Sequence, residues 1–240
     1  MFPTCFVEYM EPAIGKDLVR VLEHNAISCS VPAGTRCCGA PWLHAGEVGR
    51  FADVARRNVA ALAAGVRAGR DVVVAQPTCS YVIRKDYPIY APGPDAELVA
   101  AHTFDAAEYL VNFHRRDGGG LDTDFPGPVP ETVAYHLACH LRAQNVGFKG
   151  RDLLQLAGAK VSVVDRCSGI DGTWGYRQEN YELARKVARP LVRDLEASGA
   201  EAFCGDCHLA NTAILQETGK RPVHPVQVVA RAYGIAEDAP

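Results

Sequence analysis

Arg36-Cys37-Cys38-Gly39 decides the reading of the fold, because the chain nearly repeats it as Arg166-Cys167-Ser168-Gly169. Two neighbouring cysteines reach one site only where the backbone turns sharply, and Gly39 permits such a turn. Upstream of each phrase stand a cysteine (Cys5, Cys139) and then a glycine leading an amphipathic stretch. In the first copy Gly15 leads Leu18, Val19, Val21 and Leu22; in the second Gly150 leads Leu153, Leu154 and Leu156. Downstream come a glycine (Gly46, Gly172) and a long run with apolar residues recurring at three and four. That spacing predicts helices over roughly Phe51–Ala68 and Tyr181–Ala197, ending at Gly69 and Gly199. A short buried strand should follow each, Val72–Ala75 and Ala200–Phe203. Both strands run into cysteine, as Gln76-Pro77-Thr78-Cys79 and Cys204-Gly205-Asp206-Cys207. An internal duplication explains this order economically.

Helices alternating with short strands predict an α/β fold of two tandem, pseudo-repeated half-domains. Each should have a short parallel or mixed sheet, with cysteines on loops at strand ends. Between the copies lie Pro92-Gly93-Pro94, a stretch expected to be helical from Ala96 to about Arg116, then Gly118-Gly119-Gly120 and Pro126-Gly127-Pro128-Val129-Pro130. We expect a first repeat with helical extension and linker over 1–128 and a second repeat over 129–240.

Nine cysteines divide into Cys5, Cys37, Cys38 and Cys79 in one half, Cys139, Cys167, Cys204 and Cys207 in the other, and Cys29 alone. Four thiolates gathered at one sheet edge would either titrate to neutral thiols or bind a cation, and four soft sulfur ligands select zinc or an iron-sulfur cluster. Cys29, on the apolar run Ile27–Val31, is expected to be a small core residue. Arg36 and Arg166 precede the cysteine turns, where a cation would lower thiol pKa values. His136, His140 and His208 lie near cysteines as hydrogen-bond donors to sulfur or as ligands. Tyr81, Tyr87 and Tyr90 read as core aromatics or as the lining of a quinone or electron path.

At Phe2-Pro3-Thr4-Cys5-Phe6, Cys37-Cys38-Gly39-Ala40-Pro41-Trp42, Gln76-Pro77-Thr78-Cys79-Ser80-Tyr81 and His224-Pro225-Val226-Gln227 the chain resembles the cysteine-rich CCG-domain family. That family includes the B subunit of heterodisulfide reductase, the iron-sulfur subunit of glycolate oxidase and lactate-utilisation proteins. The resemblance is nearest to the branch formed by the C-terminal part of the C subunit of anaerobic glycerol-3-phosphate dehydrogenase, and it covers nearly the whole chain. It implies cysteine-ligated iron-sulfur clusters, of a non-cubane kind in the heterodisulfide-reductase branch; the four cysteines of each half point instead to a 4Fe-4S cluster per half, with zinc as the alternative at the second site. The family pattern has five cysteines per repeat. Here Gln76 and Ser168 replace one in each half, which leaves four ligands and argues against a five-thiolate, non-cubane cluster.

The resemblance further implies an electron-transfer subunit. It would pass electrons from a flavin-dependent dehydrogenase, acting on glycerol 3-phosphate or a 2-hydroxy acid, toward a membrane quinone. In that branch two ferredoxin-type clusters precede the CCG region, and this chain starts at the first repeat. It is therefore expected to be either a fragment or a stand-alone subunit served by a separate ferredoxin-type chain. Two rivals stand beside this reading: a structural zinc scaffold, and disulfide reduction at the cluster as in heterodisulfide reductase.

Twenty-five basic against 28 acidic residues, a net charge of −3, is the wrong sign for a nucleic-acid footprint. No apolar run approaches the ~20 residues of a spanning helix. Met1-Phe2-Pro3-Thr4-Cys5 has no basic n-region and no apolar h-region, so a cytoplasmic protein is expected, peripheral on the inner membrane face if it meets quinone. No dinucleotide fingerprint, phosphate loop or hydrolase elbow occurs.

Overall fold

Extended chain opens the first unit: the N–H of Phe2 donates to Val73 O at 2.9 Å, which lays residues 1–4 beside a later strand. Thr4 ends this segment as a helix cap. Its hydroxyl accepts from Val7 N at 3.2 Å and starts α1 (Cys5–Tyr9) with Cys5 as its first residue. Pro12 at the first turn opens α2 (Pro12–His24), which buries Ile14, Leu18, Val21 and Leu22 at helical spacing. Gly15 lets α2 close on α1, for a Cβ there would run into the Val7 side chain.

The computed structural model describes residues 1–236, and the chain forms two compact units, residues 1–109 and 110–236. The last four residues of the expected second repeat, 237–240, lie outside the described residues.

In the first unit α3 (Ala40–His44) follows the cysteine turn. After it α4 (Val48–Arg67) buries Phe51, Ala55, Asn58, Val59, Leu62 and Val66. This is the helix the spacing predicts, begun one turn earlier, and Gly69 beyond it has φ 83°. Three buried valines make β1 (Val72–Val74), and Pro77 then opens α5 (Pro77–Tyr81). That helix runs through a π turn (Val82–Asp86) into α6 (Tyr87–Tyr90).

The stretch expected to be one helix from Ala96 is broken. It forms α7 (Pro94–Ala101), β2 (Thr103–Asp105) and α8 (Ala106–His114). Thr103 Oγ1 donates to Val99 O at 2.7 Å, and β2 pairs with β1 in parallel, Val72 opposite Thr103. Asp105 and Glu108 then cap α8: Ala107 N donates to the Asp105 carboxylate and Asp105 N to the Glu108 carboxylate.

Three strands build the second unit: β3 (Thr132–His136), β4 (Lys160–Val164) and β5 (Ala202–Gly205), ordered β4-β3-β5 and all parallel. Along the chain α9 (Cys139–Gln144) and α10 (Lys149–Leu156) join β3 to β4. A 3-10 turn (Trp174–Tyr176) and α11 (Gln178–Ala197) join β4 to β5, and α12 (His208–Thr218) and α13 (Pro225–Ala232) follow. Tyr135, Leu154, Cys204 and Val228 pack in one core cluster; Ala134, Leu191, Leu195, Phe203 and Ile214 form another.

Gly150 repeats the part of Gly15, as a Cβ there would meet the Tyr135 ring at 2.6 Å. Cys204 makes a parallel bridge with Val223 just before α13, as β1 pairs with β2 just before α8. The helix expected as an extension of the first repeat thus has a counterpart in the second. His224-Pro225-Val226-Gln227 is a helix start: Val226 N donates to His224 Nδ1 and His224 N to the Gln227 side chain.

Cys29 is not the core residue expected. It is half-buried on coil, with Val31 exposed, because no neighbouring strand pairs with this segment.

Candidate metal centre

The first unit brings its four cysteines together. Cys5 opens α1, Cys37 and Cys38 sit on the turn before α3, and Cys79 lies in the first turn of α5, directly after β1. The Cys5 and Cys38 thiols hydrogen-bond with Cys37, and Cys38 also with Cys79. These bonds, that from Cys38 first, hold the Cys37 pKa far below the ordinary thiol range, and the Gly39 N–H adds to the effect. Cys5 and Cys38 move upward, because each donates to Cys37 and loses solvent, Cys38 as a buried residue and Cys5 as a half-buried one. The bonding within the group thus favours negative charge at Cys37 over Cys5 and Cys38.

Gly39 makes the turn possible. Its φ of 91° is left-handed, and a Cβ would fall 2.9 Å from the ring of buried Phe51. From behind, Asn58 on α4 and Tyr87 at the start of α6 hold the backbone. Arg36 N donates to Asn58 Oδ1 at 2.7 Å. Asn58 Nδ2 donates to Arg36 O at 3.3 Å, Cys37 O at 3.2 Å and Tyr87 Oη at 2.8 Å, and Tyr87 Oη donates to Cys38 O at 2.9 Å. Burial pushes the tyrosine pKa well up, so it remains a donor.

Cys79 and Tyr87 both reach this turn although they are eight residues apart. On an uninterrupted α-helix eight residues rotate about 80° past two full turns, and the extra residue of a π turn takes back about 100°, bringing both onto one side. Sequence reading did not single out Asn58. Its signal is a polar residue on the apolar face that carries Ala55, Val59 and Leu62.

The turn of the second unit is built alike but held differently. Gly169 has φ 75°, and its N–H donates to Cys167 Sγ at 3.3 Å, as the Gly39 N–H does to Cys37. His136, buried at the end of β3, bonds through Nε2 to Arg166 O at 3.0 Å. Burial moves its pKa down, so the ring is neutral and Nε2–H is the donor.

Cys139, first in α9, and Cys167 are exposed, and Cys167 is close enough that its charge acts on Cys139. Partial desolvation by the surrounding chain raises the Cys139 thiol pKa, with Arg142 acting against the rise. His140 Nδ1 lies 3.9 Å from Cys139 Sγ. Arg166 turns to Asp194 at 2.7 Å, so the cation beside Cys139 is Arg142. Arg36, exposed, contributes its backbone to the first turn.

Cys204 lies inside β5 rather than on a loop. It is fully buried, and burial pushes its pKa up to about 12, with Asp206 and Arg231 as its charged neighbours. Cys207 caps α12, and His208 after it stacks on His224 with centroids 6.1 Å apart. Ser168 is half-buried beside Cys167, and Gln76 is a buried residue whose carbonyl accepts from Cys79 N and Ser80 N.

Among the described residues no three His, Cys, Asp or Glu side chains already surround one point as a metal ion requires. The first-unit sulfurs instead form a hydrogen-bonded chain, Cys5–Cys37–Cys38–Cys79. That donor set suits a soft metal or an iron-sulfur centre, because loss of the shared thiol protons leaves four thiolates on one group of backbone turns. In the second unit Cys139 and Cys167 form the corresponding sulfur pair.

The cysteine-rich CCG domain model matches residues 1–84 and 133–210, the segments that hold all eight paired-off cysteines. The C subunit of anaerobic glycerol-3-phosphate dehydrogenase of Escherichia coli is 32% identical over 235 residues, 96% of this chain and 58% of that protein. The B subunit of fumarate reductase (CoM/CoB) of Methanothermobacter marburgensis is 27% identical, over 95% of this chain and 44% of that protein. Lactate utilization protein A of Shouchella clausii is 25% identical, covering 86% of each chain. An uncharacterized iron-sulfur protein of Methanococcus maripaludis is 26% identical over 94% of this chain and 44% of its own length. The chain thus spans about half the length of several relatives it matches. The two matched segments, each with its cysteine turn closed by a left-handed glycine, make this chain a member of the cysteine-rich CCG-domain family.

Proposed function

We propose that the chain is an iron-sulfur electron-transfer subunit of an oxidoreductase. The observation that carries this reading is the approach of Cys5, Cys37, Cys38 and Cys79 to one another at one group of backbone turns. Relatives named as a dehydrogenase subunit, a fumarate reductase subunit and an iron-sulfur protein support it. A 4Fe-4S centre bound there would take up and release one electron at a time. Cys5, Cys37, Cys38 and Cys79 would hold it, and the Gly39 N–H on Cys37 would favour negative charge at the site. In the second half Cys139, Cys167, Cys204 and Cys207 are the proposed ligands, with the repeats over 1–128 and 129–240. Electrons would arrive from a flavin-dependent dehydrogenase oxidising glycerol 3-phosphate or a 2-hydroxy acid, directly or through a ferredoxin-type chain, and leave toward quinone. Among the described residues no helix is long and apolar enough to cross a membrane, so quinone would be met at the surface.

Zinc at the second site is the other reading. It is favoured by the Cys204-Gly205-Asp206-Cys207 spacing, the form of a structural zinc knuckle. Metal and acid-labile sulfide analysis of the full chain purified without oxygen tests both. Iron with sulfide, reduced in both Cys37→Ala and Cys139→Ala, fits a cluster in each half. Iron reduced only in Cys37→Ala, with zinc lost in Cys139→Ala, fits the mixed arrangement. Protein free of metal refutes the proposal.

A further inference from the structure

We propose that Asn58 and Tyr87 are positioning residues: they set the Cys37-Cys38 turn so that its peptide N–H groups face an anionic metal centre. This rests on the reading of Cys37 and Cys38 as ligands.

Adjacent side chains on extended backbone point to opposite sides, so two consecutive cysteines serve one site only if the peptides around them are held in a fixed, rotated orientation. Three successive carbonyls, of Arg36, Cys37 and Cys38, turn inward, and two side chains with 0% exposure receive them: Asn58 takes the first two and Tyr87 the third. The two holders are tied to each other at 2.8 Å, and Asn58 Oδ1 fixes the turn's entry through Arg36 N.

Among the described residues no peptide is cis. In a trans peptide N–H and C=O point in opposite directions, so the N–H groups of Cys37, Cys38 and Gly39 face away from the two holders. The one at Gly39 is found on the Cys37 sulfur. Successive N–H groups left on one side of a turn are the makings of an anion-binding concavity. Asn58 and Tyr87 bond to the backbone of the turn and to each other. They act through the backbone, by keeping those dipoles aimed and both cysteines on one side.

Cobalt(II) titration of the reduced, metal-free full chain tests this, read by the sulfur-to-cobalt charge-transfer band, with thermal unfolding of the same metal-free samples. Four proteins are compared: wild type, Tyr87→Phe, Asn58→Ala and Leu62→Ala. Leu62 is buried on the same helix and in the same core cluster but lies away from the turn, so its truncation reports destabilisation alone. The expected result is a loss of about 10- to 100-fold in first-site affinity for Tyr87→Phe and Asn58→Ala. Leu62→Ala should bind cobalt as the wild type does, even where it melts lower than either. In iron-loaded protein the first-site midpoint potential should fall in Tyr87→Phe, because loosened N–H groups stabilise the reduced, more negative state less well.

Unchanged affinity and potential in Tyr87→Phe and Asn58→Ala overturn the positioning role and leave the metal site standing. Affinity lost by all three variants in proportion to their melting temperatures makes the role structural only and also overturns it. A wild type that binds no cobalt refutes the ligand reading itself, and the positioning role with it.

Discussion

Replacing Gly39 by alanine should destabilise the first unit by an amount the structure itself sets. The left-handed φ of 91° costs an L-residue about 1–2 kcal/mol. The added Cβ would stand 2.9 Å from Phe51 Cδ2 and 3.3 Å from a Val54 methyl. Phe51 cannot swing aside, since its ring is fully buried against Tyr87 and Tyr90, with centroids 5.9 and 5.3 Å away. Overpacking of this kind adds about 1–3 kcal/mol, for a total near 3 kcal/mol.

Two glycines calibrate the estimate. Gly46, also left-handed at 78°, has nothing within 4 Å of its would-be Cβ, so Gly46→Ala should lose only the backbone share, about 1–2 kcal/mol. At Gly169 the Cβ would land on the carbonyl oxygen of Ala184 in α11. Helix backbone yields less than a ring, so Gly169→Ala should lose about 4 kcal/mol or more. The assay is urea unfolding followed by tryptophan fluorescence, because the chain has two tryptophans, Trp42 in the first unit and Trp174 in the second. With a slope of about 1.5 kcal/mol/M, Gly39→Ala should lower the Trp42 midpoint by about 2 M. A Gly39→Ala loss no larger than that of Gly46→Ala would refute the packing argument.

Cys37, half-buried and with its pKa held far down by the bonds from Cys38 and Cys5, should be the first cysteine of the metal-free chain to be alkylated by iodoacetamide near pH 6, where an ordinary thiol is protonated. Cys38→Ala should slow that labelling at least tenfold, and labelling of Cys37 that appears only above pH 8 contradicts the lowered pKa. Burial raises the pKa of Asp206, between the last two cysteines, to about 6, although its bond from Tyr135 opposes the rise. From about pH 4 to 6 the folded state therefore binds the proton the unfolded chain releases. Stability from this group is full below pH 4 and lost as pH rises through 6, with a slope of at most about 1.4 kcal/mol per pH unit. Asp206→Asn should flatten that slope in pH-dependent urea unfolding of the second unit, and an unchanged slope means another group causes it. Removing the His136 bond to the Arg166 carbonyl with His136→Phe should cost about 1–3 kcal/mol and should alter Cys167 alkylation while leaving that of Cys37 unchanged.

Much of this arrangement is legible in the residues. The long helices announce themselves because Ala55, Val59, Leu62 and Val66, and later Ala184, Ala188, Leu191 and Leu195, recur at helical spacing. The three valines of β1 have no other low-energy place than a covered strand. What stayed hidden depends on partners distant in sequence. Thr103-Phe104-Asp105 has no period of its own between two helix-forming stretches, and pairing with β1 makes it a strand. The π turn at Val82–Asp86 leaves no compositional mark, yet it brings Tyr87 round to the cysteine turn. Asn58 was visible as a polar residue on an apolar helix face, but its partners lie more than twenty residues away. Cys204 reads like a loop cysteine from its Cys204-Gly205-Asp206-Cys207 phrase, and β5 runs one residue past it.

X-ray absorption at the iron edge of Cys139→Ala protein purified without oxygen addresses the first-unit sulfurs with the second site disabled. The account predicts an all-sulfur first shell with iron neighbours beyond it, abolished by the further change Cys37→Ala. A shell of nitrogen and oxygen ligands, or iron retained after Cys37→Ala, would contradict the gathering of Cys5, Cys37, Cys38 and Cys79 around one inorganic centre.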